Sequence, residues 1–280
     1  MVKSYSKRLF ELITKPEMKI LPGHLAFFLI LSIFPLLTLL GYIISNLTMS
    51  IVPSTTILEK FIPGNVSNLL VSFLSESHLT ENITLVMIVG FALVSNGTYS
   101  IITVSDEVFG IKSKSEIKKR IKSILMIFIF MFLFFFVLVV LAYGSSIVKY
   151  VTLFSIFRNV NDQISFVYQL IRWPIAFIIL FGILKFFYTI SPDENIPSKY
   201  MNKGSLFTTV GWIMTTFIYS FYVSHFADYT LFYGGLSGII VMMVWVYMLS
   251  FIFVMGIAIN ADEYLDYKYV NKNKKKDKDI

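Results

Sequence analysis

The side chains of this sequence most able to do chemistry are polar ones set inside apolar runs. A polar atom facing hydrocarbon is costly and persists only where it bonds, packs or serves a solute. Asn96, Ser100 and Thr103 recur at i, i+4 and i+7 and make one helical stripe, with Gly90 and Gly97 a heptad apart on another. Further along, Thr208, Gly211, Thr215, Tyr219 and Tyr222 share a face in the same way. Two roles fit both stripes. One is interhelical glue, in which small residues permit close approach and hydroxyls bond across the seam; the other is the wall of a polar cavity bordered by both helices. Pro35 lacks the donor that the Leu31 carbonyl would receive, so its helix should kink beside Ser32, either as packing accommodation or as a hinge at the same cavity. Arg172, just before Pro174, and Lys185 are either within snorkelling reach of an interface or inside the bundle, where a cation would hold an anionic headgroup or phosphate. The candidate lining or binding residues are therefore Ser32, Pro35, Asn96, Ser100, Thr103, Arg172, Lys185, Thr208, Thr215 and Tyr219.

Catalytic and metal chemistry find less support. Asp106 and Glu107, Asp193 and Glu194, and Asp262 and Glu263 are three carboxylate pairs able in principle to hold Mg²⁺. Pairing with neighbouring lysines, or hydration, explains them more simply. His24 falls on one side of the membrane in the topology below and His78 and His225 on the other, so the three cannot converge on one metal. No P-loop, GxSxG or histidine-rich metallo-nuclease pattern is present. No catalytic residue, metal or other cofactor is expected.

The elements that must position these residues follow from composition. Of 280 residues 56% are hydrophobic, 17% aromatic and only 15% charged, against about 25% charged in a soluble domain. Apolar runs longer than about 18 residues recur, which excludes a soluble enzyme, a disordered chain and a secreted disulfide scaffold. The absence of cysteine removes thiolate sites and cysteine nucleophiles. The net charge of +7 comes from cations beside apolar spans, which points to anionic headgroups rather than nucleic acid.

Six spans are predicted, at about 24–47, 82–104, 123–143, 170–190, 203–226 and 235–260, each long enough as a helix for a hydrocarbon core of about 30 Å. Of the 24 basic residues, 19 fall on the side of the termini and 3 on the other, with Arg172 and Lys185 inside the fourth span. The positive-inside rule then puts both termini in the cytoplasm of a multi-pass protein of the inner or plasma membrane. The organisation is a basic cytoplasmic segment 1–23, a six-helix domain 24–260 and a Lys-rich cytoplasmic tail 261–280, of which 271–280 reads as disordered. Val66, Leu69, Leu70, Phe73 and Leu74 repeat at helical spacing, so an extracytoplasmic amphipathic helix is predicted between the first two spans. A second such segment is predicted within 144–168. The fold class is all-α.

Two segments resemble a known family. Leu25-Ala26-Phe27-Phe28 through Leu31-Ser32-Ile33-Phe34-Pro35-Leu36 is similar to the first-span signature of the YihY/BrkB membrane proteins, older members of which are named ribonuclease BN. Tyr233-Gly234-Gly235-Leu236-Ser237-Gly238, then Val244-Trp245-Val246-Tyr247, then Gly256-Ile257-Ala258-Ile259-Asn260-Ala261 resembles the sixth span. Members commonly carry an acidic residue where this chain has Ala258. The resemblance covers about 20–265 and implies a six-span inner-membrane fold with roles in envelope or lipid handling. Together these readings predict a protein that binds or translocates a lipid or other amphipathic, anionic molecule, with membrane lipids as partners and no nucleic acid. A membrane-bound phosphodiesterase and an envelope scaffold are the alternatives.

Overall fold

The computed structural model of the chain describes residues 14, 17–46, 83–112, 115–129, 161–225 and 233–276, and every regular element among them is helical. These are α1 (Glu17–Asn46), α2 (Ile83–Phe109), α3 (116–129), α4 (Asn161–Ile190), α5 (Asn202–His225) and α6 (Ser237–Lys276), with single 3₁₀ turns at Ser198–Met201 and Gly234–Leu236. Helices suit these apolar runs because each satisfies its own backbone bonds without help from water. Among the described residues, Ile88–Phe109, Ser198–His225 and Ser237–Lys268 are long and apolar enough to cross a membrane, and Met18–Ile33 and Pro174–Ile190 are shorter apolar helices.

The helix ends near the functional region have clear local causes. Gly110, at φ 66°, closes α2. Its N–H donates to the Glu107 carbonyl at 3.1 Å and that of Ile111 to Asp106 at 2.8 Å, the paired bonds of a Schellman cap, which sets Asp106 in the last turn. Ser115 caps α3 by accepting from the Lys118 N–H at 3.4 Å, and Glu116 follows in the first turn, where a carboxylate suits the helix dipole.

α6 lies at the centre. It packs against α5, α1 and α2, while α1 packs along α2 and α4 along α5. Every residue from Phe253 to Ala261 is buried, so this stretch of α6, apolar but for Asn260, is enclosed all round rather than one-sided. The outer surface is apolar as well: Phe27, Ile88, Leu125, Ile178, Phe217 and Ile218 are all exposed, an arrangement suited to lipid contact.

Several boundaries differ from the sequence reading. α1 begins at Glu17, before the expected start of the first span, and Pro22 is carried inside it. Residues 161–168, assigned to a connecting segment, are continuous with α4. α6 runs on to Lys276, so 271–276 is helical rather than disordered: nothing after Gly256 breaks the helix, and lysine is a good helix former. The predicted helix at 66–75, residues 144–160 and most of the third span lie outside the described residues.

Candidate functional site

The end of the bundle where α2 finishes is built on a buried ion pair. Asp106 (2% exposed) and Lys119 (7% exposed) meet at 3.0 Å. The other Asp106 oxygen accepts from the Asp193 N–H at 2.8 Å, so one carboxylate ties α2 to α3 and to the segment after α4. Lys122, one turn along α3, donates to the carbonyls of Ser191 and Pro192 at 3.0 and 2.6 Å, capping the end of α4 with a cation. Burial alone would lower the Lys119 ammonium, but Asp106, with Glu116 behind it, holds it above the ordinary lysine value. For Lys122 burial prevails over the nearby Asp193 and Asp106 charges, and its pKa is lowered. An aromatic cluster completes this end: the Tyr200 ring is 5.5 Å from Tyr264 and 5.1 Å from Tyr267, with the Lys199 ammonium 4.9 Å from Tyr200. Tyrosines and lysines together are what a membrane–water boundary selects.

A second polar knot is enclosed where α4, α5 and α6 meet. The Tyr188 hydroxyl shares a hydrogen bond with Thr208 Oγ1 at 2.6 Å and donates to the Phe253 carbonyl at 2.9 Å. The Gly204 N–H donates to Asn260 Oδ1 at 2.7 Å, leaving Asn260 Nδ2 buried without a partner among the described residues. Gly204 and Gly256 face each other so closely that a Cβ on Gly256 would lie 3.0 Å from the Gly204 carbonyl. Trp212 donates to Leu249 at 2.9 Å and Trp245 to Thr216 at 3.1 Å, extending the α5–α6 seam.

The predicted lining residues are distributed among three seams. Between α1 and α2, Ser32 is buried against Gly97 and donates to the Phe28 carbonyl, Pro35 is apposed to Gly90, and Ser100 shares a 3.0 Å hydrogen bond with His24 Nδ1. A Cβ on Gly90 would come within 2.9 Å of the Pro35 ring, so the two stripe glycines mark the closest approach of these helices. Between α4, α5 and α6, Thr208 belongs to the Tyr188 knot and Tyr219 donates to the Val241 carbonyl at 3.1 Å. On the α2–α3 seam, Asn96 accepts from Arg120 at 2.8 Å, and Thr103, beside it on α2, donates back to Tyr99 at 3.0 Å. Thr215 and Lys185 are half-buried, on α5 and α4. The side chain of Arg172 lies outside the described residues.

Sequence reasoning singled out Asn96 but not its partner Arg120, and it did not join Asp106 to Lys119 or Tyr188 to Thr208. The usable signals were Asn260 within an apolar span and the pair Gly204 and Gly256, since a buried amide needs a partner and glycines in spans mark close contacts. The carboxylates of this end face lysines: Glu263 lies 3.1 Å from Lys203 and Glu194 3.6 Å from Lys268. Among the described residues no three histidines or carboxylates gather as metal ligands.

The chain is similar to a ribonuclease-like protein, YfkH, of Bacillus subtilis, at 28% identity over 92% of this chain and 94% of that protein. It is also similar to UPF0761 membrane proteins of Vibrio atlanticus (23% identity, 92% of this chain and 81% of the relative) and Psychromonas ingrahamii (24%, 88% and 82%). No solved structure matches it. The Virulence factor BrkB family model matches residues 10–280, and with its several apolar helices the chain belongs to that family of membrane proteins.

Proposed function

We propose that this protein binds or translocates an anionic amphipathic molecule, a lipid or lipid-like solute, in the cell membrane. One observation carries the reading: the bundle divides the basic run Lys118, Lys119, Arg120 and Lys122. Lys119 and Lys122 turn inward to structural partners, whereas Lys118 and Arg120 stay exposed at the edge of an apolar bundle. An anionic headgroup would be met by cations placed there. In this reading Ser32, Ser100, Thr208 and Tyr219 hold helices together. Asn96 and Thr103, on the α2–α3 seam with Arg120, border the solute at its headgroup, and Thr215, Lys185 and Arg172, on α5 and α4, border it elsewhere along the bundle. Of the six carboxylates that a phosphodiesterase could use, Asp106, Glu194 and Glu263 each face a lysine.

Six transmembrane helices are part of the proposal, with an amphipathic helix on the outer face between the first two and both termini cytoplasmic. The basic residues and the Tyr200, Tyr264 and Tyr267 cluster share the end assigned to the cytoplasm. A cysteine replacing exposed Lys112 should therefore resist an impermeant thiol reagent in intact cells and react after permeabilisation. Reaction in intact cells would invert the topology.

Native mass spectrometry of the gently extracted protein tests the activity class. An anionic amphiphile is expected to remain bound in excess over its share of the membrane. Zwitterionic lipids retained in proportion to their abundance would instead leave a scaffold.

A further inference from the structure

We infer that the face shared by α2 and α3 binds one anionic phospholipid, its phosphate held by Arg120; the inference rests on the reading above and locates its ligand. α2 and α3 run antiparallel, since Lys119 meets Asp106 while Ser123, later on α3, meets Ser95 at 3.2 Å and Thr98 at 2.9 Å, earlier on α2. Arg120 follows Lys119 in sequence, yet its Nη1 donates to Asn96 at 2.8 Å. Asn96 precedes Asp106 by ten residues on one continuous helix, about 15 Å of rise. The side chain thus turns toward the middle of the apolar segment Ile88–Phe109, whereas an arginine at a membrane edge ordinarily snorkels outward.

The protein supplies only part of what such a cation needs. Asn96 occupies one of the five guanidinium donors, and the Tyr99 ring lies 5.5 Å from the guanidinium carbon. Glu116, one turn earlier on α3, is engaged elsewhere: it accepts from the Tyr99 hydroxyl and lies 3.9 Å from Lys119. Among the described residues no carboxylate pairs with Arg120, and its side chain is exposed. A cation held at this depth calls for an anion.

The surroundings select the kind of anion. Ile121, Leu125 and Phe128 are exposed on α3, Ala92 is exposed on α2 one turn before Asn96, and the Phe91 and Phe128 rings lie 6.0 Å apart. Apolar surface therefore begins where the polar cluster ends, in the order a phospholipid presents its phosphate and its chains. A phosphodiester matches the guanidinium fork, and the chains account for the apolar surface, which a free phosphate would leave unused.

The test uses the full-length protein in nanodiscs of equal phosphatidylglycerol and phosphatidylcholine, with retained lipid read by native mass spectrometry after extraction. The wild type is expected to keep one phosphatidylglycerol that millimolar inorganic phosphate does not displace. Arg120→Gln should weaken retention about tenfold. Ala92→Trp, which fills the apolar surface and leaves the guanidinium alone, should also weaken it; Lys112→Gln, at an exposed rim lysine, should not. Should Arg120→Gln fail to fold, Ala92→Trp decides. Wild-type retention in both test variants would overturn the location while the proposed function stands. Displacement by inorganic phosphate would overturn the lipid assignment. A wild type with no preference for phosphatidylglycerol would remove both this site and the reading beneath it.

Discussion

Replacing Gly204 or Gly256 with alanine is expected to separate α5 from α6 and cost about 3 kcal/mol or more. A Cβ on Gly204 would overlap the Gly256 carbonyl and approach Asn260 Cγ and Nδ2 at 2.5 Å; one on Gly256 would overlap Thr208 Oγ1 and the Tyr188 hydroxyl. Backbone cannot swing aside as a long side chain can, and Asn260 is already committed to the Gly204 N–H. Relief therefore means moving whole helices apart, which breaks the Tyr188–Thr208 and Tyr188–Phe253 bonds together. Gly182→Ala is the control, because a Cβ there meets nothing within 4 Å. Unfolding of the detergent-solubilised protein, followed by fluorescence of tryptophans that include Trp212 and Trp245 on this seam, should show both seam variants shifted far below wild type and Gly182→Ala at or slightly above it. A wild-type midpoint in either seam variant would mean that the helices do not approach there.

Removing the carboxylate of Asp106 is expected to cost about 3–5 kcal/mol, because it strands a buried ammonium. Asp106→Ala loses both the 3.0 Å pair with Lys119 and the acceptor of the Asp193 N–H. Asp106→Asn keeps that acceptor and should cost less. Lys119→Met combined with Asp106→Ala should be less damaging than the two single effects added together, since no unpaired charge then remains. The pH dependence has a definite sign. The folded-state pKa of Lys119 lies above its ordinary 10.5, so its contribution is complete below that value and fades as the pH rises through the higher folded one. The gap between the unfolding midpoints of wild type and Asp106→Ala should narrow toward the alkaline end to the share due to the Asp193 contact; a constant gap across that window would assign the whole cost to that contact.

Among the described residues, the existence of the helices was legible from the chain because the apolar runs are long and uniform, whereas their bounds were less so, and α5 is the nearest match. α5 departs from the predicted 203–226 by one residue at each end. Starts and stops were set by single residues that the sequence reading passed over, as at Gly110 and Ser115, or lay beyond the apolar run where helix formers continue, as at the end of α6. The polar stripes identified residues that bond between helices, but the partners lie tens of residues away: Tyr188 and Thr208 are twenty apart, His24 and Ser100 seventy-six. Periodicity gives a face its direction and says nothing of what stands opposite.

The basic run at 118–122 shows the same division most clearly. As sequence it is a block of charge beside an apolar span, which enters the expected membrane orientation through summed charge alone, since the positive-inside rule needs no contact geometry. Four nearby cations are equivalent in that sum. Only the packing of α3 against α2 and the end of α4 made them different, sending Lys119 to Asp106, Lys122 to two carbonyls and Arg120 toward Asn96. The sequence by itself determined a membrane-embedded helical protein of basic character, because composition and period respond to the solvent around each helix. Which cation is structural and which stays exposed at the bundle surface was decided by the tertiary structure, because desolvation and pairing depend on the neighbours that the fold supplies.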